Sequence, residues 1–179
     1  KTWNLQPILQ VESTDLSSGR LNVVVKDPAI TALSALAGKK LWTTIADYPK
    51  YLGKVVLEGK VDLATVTLKN IGQALKGVRG VLRGDCDATI LDDEQLAKAR
   101  TIPGAQDLRV IHTSGALPPI PVVVFGTGLS AADRDALAKV LTAMCGSPKG
   151  APICKEMFIG RFTALDKAAF SEADRKVGE

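Results

Sequence analysis

The run from Asn70 to Leu91 limits what this chain can become more than any other part of it, because it joins a helical period to a strand period through one glycine. Ile71, Ala74, Leu75, Val78, Val81 and Leu82 recur three and four residues apart, the spacing that lines one face of an amphipathic helix. Asn70 precedes them as the expected N-cap, since its short side chain can accept from the first free N–H groups. Lys76, Arg79 and Arg83 fall on the wet side. Gly84 follows the last apolar position, where a left-handed residue is easiest for glycine, and Ala88 to Leu91 then reads as a short buried strand. Asp92 and Asp93 come next, at the end of a strand where an α/β sheet presents its ligand.

The same alternation continues on both sides. Gln6 to Val11 and Arg20 to Lys26 are expected to be extended, joined by loop chemistry over 12–19. Leu21, Val23, Val24 and Val25 form the nearly continuous apolar run of a strand covered on both faces. A short helix over Thr31 to Ala37 stops at Gly38, and Lys40 to Thr44 is the next strand. Asp47 can cap a helix that Pro49 opens and Gly59 closes, with Leu52, Val55 and Val56 as its buried stripe. Val61 to Leu68 reads as a strand, Glu94 to Arg100 as a helix that cannot pass Pro103, and Leu108 to His112 and Val122 to Phe125 as two more strands. Ser130 and Asp133 form a capping box for a helix striped by Ala136, Leu137, Val140, Leu141 and Met144. Helices over Ala151 to Phe158 and Leu165 to Lys176 follow. Strands alternating with helices imply right-handed crossovers, hence an α/β fold with a mainly parallel sheet flanked by helices.

Composition serves to exclude function classes. With 46% hydrophobic and 23% charged residues, 179 residues can bury the core of one or two small domains. The net charge of +4 is scattered and aromatics are 4%, which leaves neither the clustered positive charge nor the stacking platforms of a nucleic-acid binder. No apolar run approaches the about 20 residues of a membrane span. Lys1-Thr2-Trp3 does not begin a signal peptide, so the chain is either cytoplasmic or has had its export signal removed. A single histidine, His112, supports no Ser/His/Asp or Cys/His set, and there is neither Gly-x-Ser-x-Gly nor Gly-x-x-x-x-Gly-Lys, so an enzyme is not expected. No cysteine–histidine spacing marks a metal site, and no cofactor is expected.

The three cysteines divide. Cys145 and Cys154 flank the turn-rich Gly-Ser-Pro-Lys-Gly-Ala-Pro-Ile. In an oxidising compartment a disulfide closing that loop would stabilise by roughly 2.5–3 kcal/mol; two small buried thiols are the alternative. Cys86 lies between Asp85 and Asp87, whose charge disfavours a thiolate.

The order of Val81-x-x-Gly84-x-x-Asp87-Ala88, Pro118-Pro119-Ile120-Pro121, Leu129-Ser130 opening a long helix, Ser147-Pro148-x-Gly150 and Gly160-x-Phe162 resembles the phosphate/phosphonate-binding proteins of ABC importers, a branch of the type 2 periplasmic binding fold. The resemblance spans about Leu21 to Phe170. It implies two α/β lobes that close on a ligand by hinge motion about Leu21 to Lys26 and Leu108 to Phe125. On that reading residues 1–34 are the entering strands and linker of a partial lobe, 35–111 a complete middle lobe, and 112–179 a crossing strand and helices returning to the partial lobe. One lobe is then complete and the second lacks its first strands, so the chain is expected to be a fragment without roughly its N-terminal third. Apolar surface left bare by the missing part would invite self-association. The resemblance further implies a small polar or anionic ligand, a membrane permease as partner, and the periplasm, with the export signal removed.

This sequence departs from the family at the site itself. Where the family carries Ser-Thr-Ser-Gly at a helix N-terminus that holds the phosphonate group, this chain has Thr43-Thr44-Ile45-Ala46-Asp47-Tyr48. Two hydroxyls remain, the glycine is gone, and Asp47 adds negative charge, so the ligand stays open. The candidate ligand-binding residues are Thr43, Thr44, Asp47 and Tyr48 at one strand-to-helix junction, Thr67 and Asn70 with Lys69 at the next, and Asp92 and Asp93 at the third. The plainer readings are a polar loop, a cap at Asn70, and helix-starting aspartates that suit the dipole. The expected function is a solute-binding domain of an ABC importer; the alternative is a sensor or accessory interaction module of the same fold with a degenerate cleft.

Overall fold

The computed structural model describes residues 4–13, 19–126 and 128–178. In chain order the elements are β1 (Leu5–Ser13), β2 (Leu21–Val25), β3 (Lys40–Thr43), α1 (Pro49–Tyr51) continued by a π-turn (Leu52–Val56), β4 (Thr67–Asn70), α2 (Ala74–Arg83), β5 (Ala88–Asp92) and α3 (Asp93–Ala99). Then come β6 (Arg109–Thr113), β7 (Ile120–Phe125), α4 (Ala131–Met144), α5 (Gly150–Glu156), β8 (Ile159–Thr163) and α6 (Lys167–Gly178). They sort into two compact units, Lys1–Leu16 with Pro118–Ser171, and Ser17–Leu117 with Glu172–Glu179. The division differs from the expected 1–34, 35–111 and 112–179, because β2 is a core strand of the second unit and not a linker. Val23, Val24 and Val25 are all fully buried there. The loop expected between the first two strands falls largely on 14–18, outside the described residues.

The second unit is a five-stranded sheet in the order β4-β3-β5-β2-β6. β3 pairs parallel with both β4 and β5, while β2 pairs antiparallel with β5 and β6. The crossovers therefore do run β3, β4, β5 and β6 in one direction, as the helix–strand alternation requires. The expected mainly parallel sheet is mixed in its pairing because β2 inserts between β5 and β6 with opposite sense. Val23 and Val25 pack on one face with Leu36, Leu41, Leu52 and Val56, and Val24 on the other with Val78, Leu91 and Ala99. Both faces of the sheet are thus covered, which explains the uninterrupted valines.

Local chemistry sets the element ends. Gly84 is left-handed at φ 80 and closes α2, and Asp87 ties the turn to β3: its carboxylate accepts from the Lys40 N–H at 2.7 Å and its own N–H donates to the Lys40 carbonyl at 2.9 Å. Three expectations fail. Val61 to Leu68 is not one strand: Asp62 caps a 3-10 turn over Leu63–Thr65, and pairing starts only at Thr67. Asn70 is not the cap of α2, because β4 uses it as its last residue and the chain runs on through Ile71, 3% exposed, to Ala74. Asp47 does not cap α1 either; Tyr48 holds that position without a side-chain bond.

The first unit is a wholly antiparallel sheet, β7-β1-β8. Leu9, Phe162 and Cys154 centre its core under α4 and α5. Cys145 and Cys154 form a disulfide across the α4–α5 turn, and Ser130 and Asp133 form the capping box of α4. β8 went unread in the sequence because only Ile159–Thr163 marks it, directly after a helix that ends at Glu156 and not at Phe158. Leu5, Val123 and Phe125 on β1 and β7 stand 47%, 43% and 56% exposed. Among the described residues no helix is long and apolar enough to cross a membrane.

Candidate functional site

Three parallel neighbours, β4, β3 and β5, end side by side, and the register places Thr43 opposite Asn70. The loops that leave them therefore gather on one edge of the second unit, the edge at which open α/β sheets bind ligands. Thr43 itself is 1% exposed, its hydroxyl bonded to the Ile45 N–H at 3.4 Å, so it supports the loop from within. Thr44 is exposed on the same edge. The Asn70 amide donates to the Asp47 carboxylate, joining two sequence candidates that lie on different loops. Tyr48 is 66% exposed.

The remaining candidates separate from this group. Thr67 opens β4 opposite Lys40, about 10 Å of strand from Asn70, so it belongs to the opposite edge; the false strand over 61–68 had misplaced it. Lys69 points its ammonium over the Trp42 ring at 4.2 Å. Asp92 accepts from the Gln95 N–H at 2.7 Å while Gln95 returns a bond to the Asp92 N–H at 3.2 Å, a capping box for α3. Asp93 accepts from the Asn22 amide at 2.8 Å, and Asn22 in turn accepts from the Thr113 hydroxyl at 2.8 Å. Asn22 is 4% exposed, so this chain fastens β2 and β6 to the start of α3. His112 bonds through Nε2 to the Val56 carbonyl at 3.0 Å; a carbonyl only accepts, so Nε2 carries the proton.

A cavity of ≈ 400 Å³ opens beside Thr44 and is lined by Gly72, Gln73, Ala74, Leu75, Gln95 and Lys98. Its floor is the start of α2. Gln73 is the N-cap residue, its side chain makes no capping bond, the Lys76 N–H turns back to the Gln73 carbonyl at 3.0 Å, and no acidic residue lies in the first turn. The free N–H groups and the helix dipole, equivalent to about half a positive charge, make such an end receptive to an anion. Lys98 adds a cation shared with Glu94 at 2.5 Å. These residues escaped the sequence reading because it placed the helix start at Asn70. The signal was the lack of Ser, Thr, Asp or Asn at the true cap.

Cys86 has no part in this edge. Burial, and then the charges of Asp87 and Asp85, push its thiol up to about 12, which leaves it protonated and inert. Among the described residues no cluster could hold a metal ion.

Residues 4–170 match the family described as "ABC transporter, phosphonate, periplasmic substrate-binding protein". The chain belongs to this family. No curated protein matches it. Solved structures of similar fold include XAC2383 from Xanthomonas citri bound to ATP, with 21% identity, a TM-score of 0.78, and 97% of this chain covering 70% of that one. A binding protein component of an ABC phosphonate transporter from Pseudomonas aeruginosa has 16% identity and a TM-score of 0.67, with 98% of this chain covering 62% of the other. PhnD1 from Prochlorococcus marinus in complex with methylphosphonate has 15% identity and a TM-score of 0.65, with coverages of 98% and 72%. The type 2 periplasmic binding fold is thereby shown. This phosphonate-binding-family chain spans 62–72% of the length of those three proteins. The family consists of periplasmic binding proteins that serve transport, not of enzymes.

Proposed function

We propose that this chain is the solute-binding part of an ABC importer, located in the periplasm, and that it takes a small phosphonate- or sulfonate-like anion on the free N-terminus of α2. The observation that carries the reading is the uncapped first turn of α2 opening onto a cavity that Thr44 and Lys98 also line. Backbone N–H groups, a hydroxyl donor and a lysine are what an oxyanion requires. Thr44 contacts the anion, and the Asn70–Asp47 pair borders it, with Tyr48 on the same edge. Thr43, Asp92 and Asp93 hold the loops in place. Closure of the two units on the ligand selects the state that a permease reads.

Gln73→Asp tests the site. An aspartate at the N-cap would satisfy the free N–H groups, raising stability by about 0.5–1 kcal/mol, and its charge would repel an anion. The expected result is a higher Tm with loss of the thermal shift that methylphosphonate, methanesulfonate, phosphate or sulfate gives the unaltered protein. Retention of that shift in Gln73→Asp would remove α2 from the site. The second reading, a sensor or accessory module, is favoured by the carboxylate of Asp47 on the same edge; silence across the whole anion panel would support it.

A further inference from the structure

Glu58 occupies a backbone position that disfavours it. Its φ is 53, in the left-handed region where an L side chain is strained and glycine is not. Gly59 beside it, at φ 70, takes the same region at no cost. A strained residue of this kind persists when its side chain is held by its surroundings. The Glu58 carboxylate accepts from the Gly115 N–H at 3.1 Å through one oxygen and pairs with the Lys60 ammonium at 2.5 Å through the other.

What Glu58 holds is the way out of the second unit, whose boundary lies at Leu117/Pro118. That outgoing segment is laced to the incoming one. Ser114 and Leu21 exchange bonds, N–H to carbonyl at 2.9 Å and N–H to hydroxyl at 3.0 Å, and the Leu117 N–H reaches the Gly19 carbonyl at 2.6 Å. The lace meets α1 and its π-turn at two points, Gly115 on Glu58 and His112 on the Val56 carbonyl. The wide turn, with the Leu57 N–H on the Leu52 carbonyl and the Gly59 N–H on the Gly53 carbonyl, ends where His112 arrives. Leu52 and Val56 are fully buried and Val55 is 6% exposed, so this segment forms a bar anchored in the core. Its other end begins at Tyr48, next to Asp47.

We propose that Glu58 is a positioning residue for ligand binding: by pinning Gly115 to the end of the α1 bar, it sets the path of the chain between the units and so the fraction of molecules in the binding-competent arrangement. The inference rests on the closure reading above. A change in that fraction alters apparent affinity without altering any ligand contact.

The experiment places spin labels on exposed positions, Arg79→Cys in the second unit and Lys139→Cys in the first, and measures their distance distribution with and without methylphosphonate. Glu58→Gly relieves the strained backbone, so the variant folds, with a Tm at or above that of the unaltered protein. Its ligand-free distribution should shift, and exchange of the Gly115 amide should accelerate about tenfold on loss of a bond to a charged acceptor. Glu58→Gln keeps an acceptor for Gly115 and should restore both readouts. A Glu58→Gly distribution that coincides with the unaltered one overturns the proposal, as does Glu58→Gln behaving like Glu58→Gly, which would assign the effect to Lys60. If the unaltered protein does not respond to methylphosphonate or the other anions while Glu58→Gly still shifts the distribution, the closure reading fails and the role of Glu58 in binding is overturned with it, Glu58 setting only the path of the chain.

Discussion

Replacing Gly77 by alanine tests how α2 is held against the sheet. At an open helix site the change would stabilise by about 1 kcal/mol. Here an added Cβ would lie 2.0 Å from Thr89 Oγ1 and 2.9 Å from both Thr89 Cβ and Ile71 Cδ1. Thr89 cannot yield, because it is fully buried and its hydroxyl donates to the Trp42 carbonyl at 2.9 Å. Turning it away leaves a buried polar group unpaired, at about 1–3 kcal/mol; lifting the helix instead overpacks the interface at a comparable cost. After the propensity gain of about 1 kcal/mol, the net loss is up to about 2 kcal/mol, a fall in Tm of up to roughly 4–8 °C for a chain of this size. Urea denaturation gives the free energy and calorimetry the Tm. Gly72→Ala is the control, with nothing within 4 Å of its added Cβ and an expected change within about 0.5 kcal/mol. A Gly77→Ala protein more stable than the original would refute the close approach of α2 to β5. Because the same helix carries the proposed anion site at its N-terminus, Gly77→Ala should also weaken anion binding.

Asp92→Ala removes the cap of α3 and should cost about 1 kcal/mol in urea denaturation with only a small loss of anion affinity, through the Gln95 that it holds beside the cavity; a large affinity loss at equal folding would return Asp92 to the ligand-contacting set. Replacing Cys145 and Cys154 by serine opens a loop of sequence separation 9 and should cost roughly 2.5–3 kcal/mol, with an unchanged denaturation midpoint counting against the bond's contribution. The Arg161 guanidinium holds the Glu12 carboxyl below its ordinary value of 4.5, and the Lys60 ammonium does the same for Glu58. Lowered folded values mean that their stabilisation is complete above that ordinary value and is lost as pH falls through the depressed one. Tm should therefore decline on acidification below about pH 4.5, and Glu12→Gln should flatten part of that decline; an identical pH profile in the variant would deny the contact a role.

Much of this protein was legible in residue order. The helix and strand from α2 to β5, the left-handed Gly84, the capping box at Ser130 and the double-faced valines of β2 all rest on interactions within a few residues or on hydrophobic periodicity, which a linear pattern carries. The family resemblance rests on that same order of local motifs. What tertiary structure decided was where pairing began and ended. Asn70 had the chemistry of a cap, but the parallel register with Thr43 gave it to β4 and its amide to Asp47. That shift moved the helix start to Gln73, left its N–H groups free, and transferred the candidate site to residues that no sequence pattern marked. Thr67 went to the far edge for the same reason, and β2 turned a parallel set of strands into a mixed sheet. Strand register and edge depend on partners tens of residues away, so they are settled only when the sheet assembles.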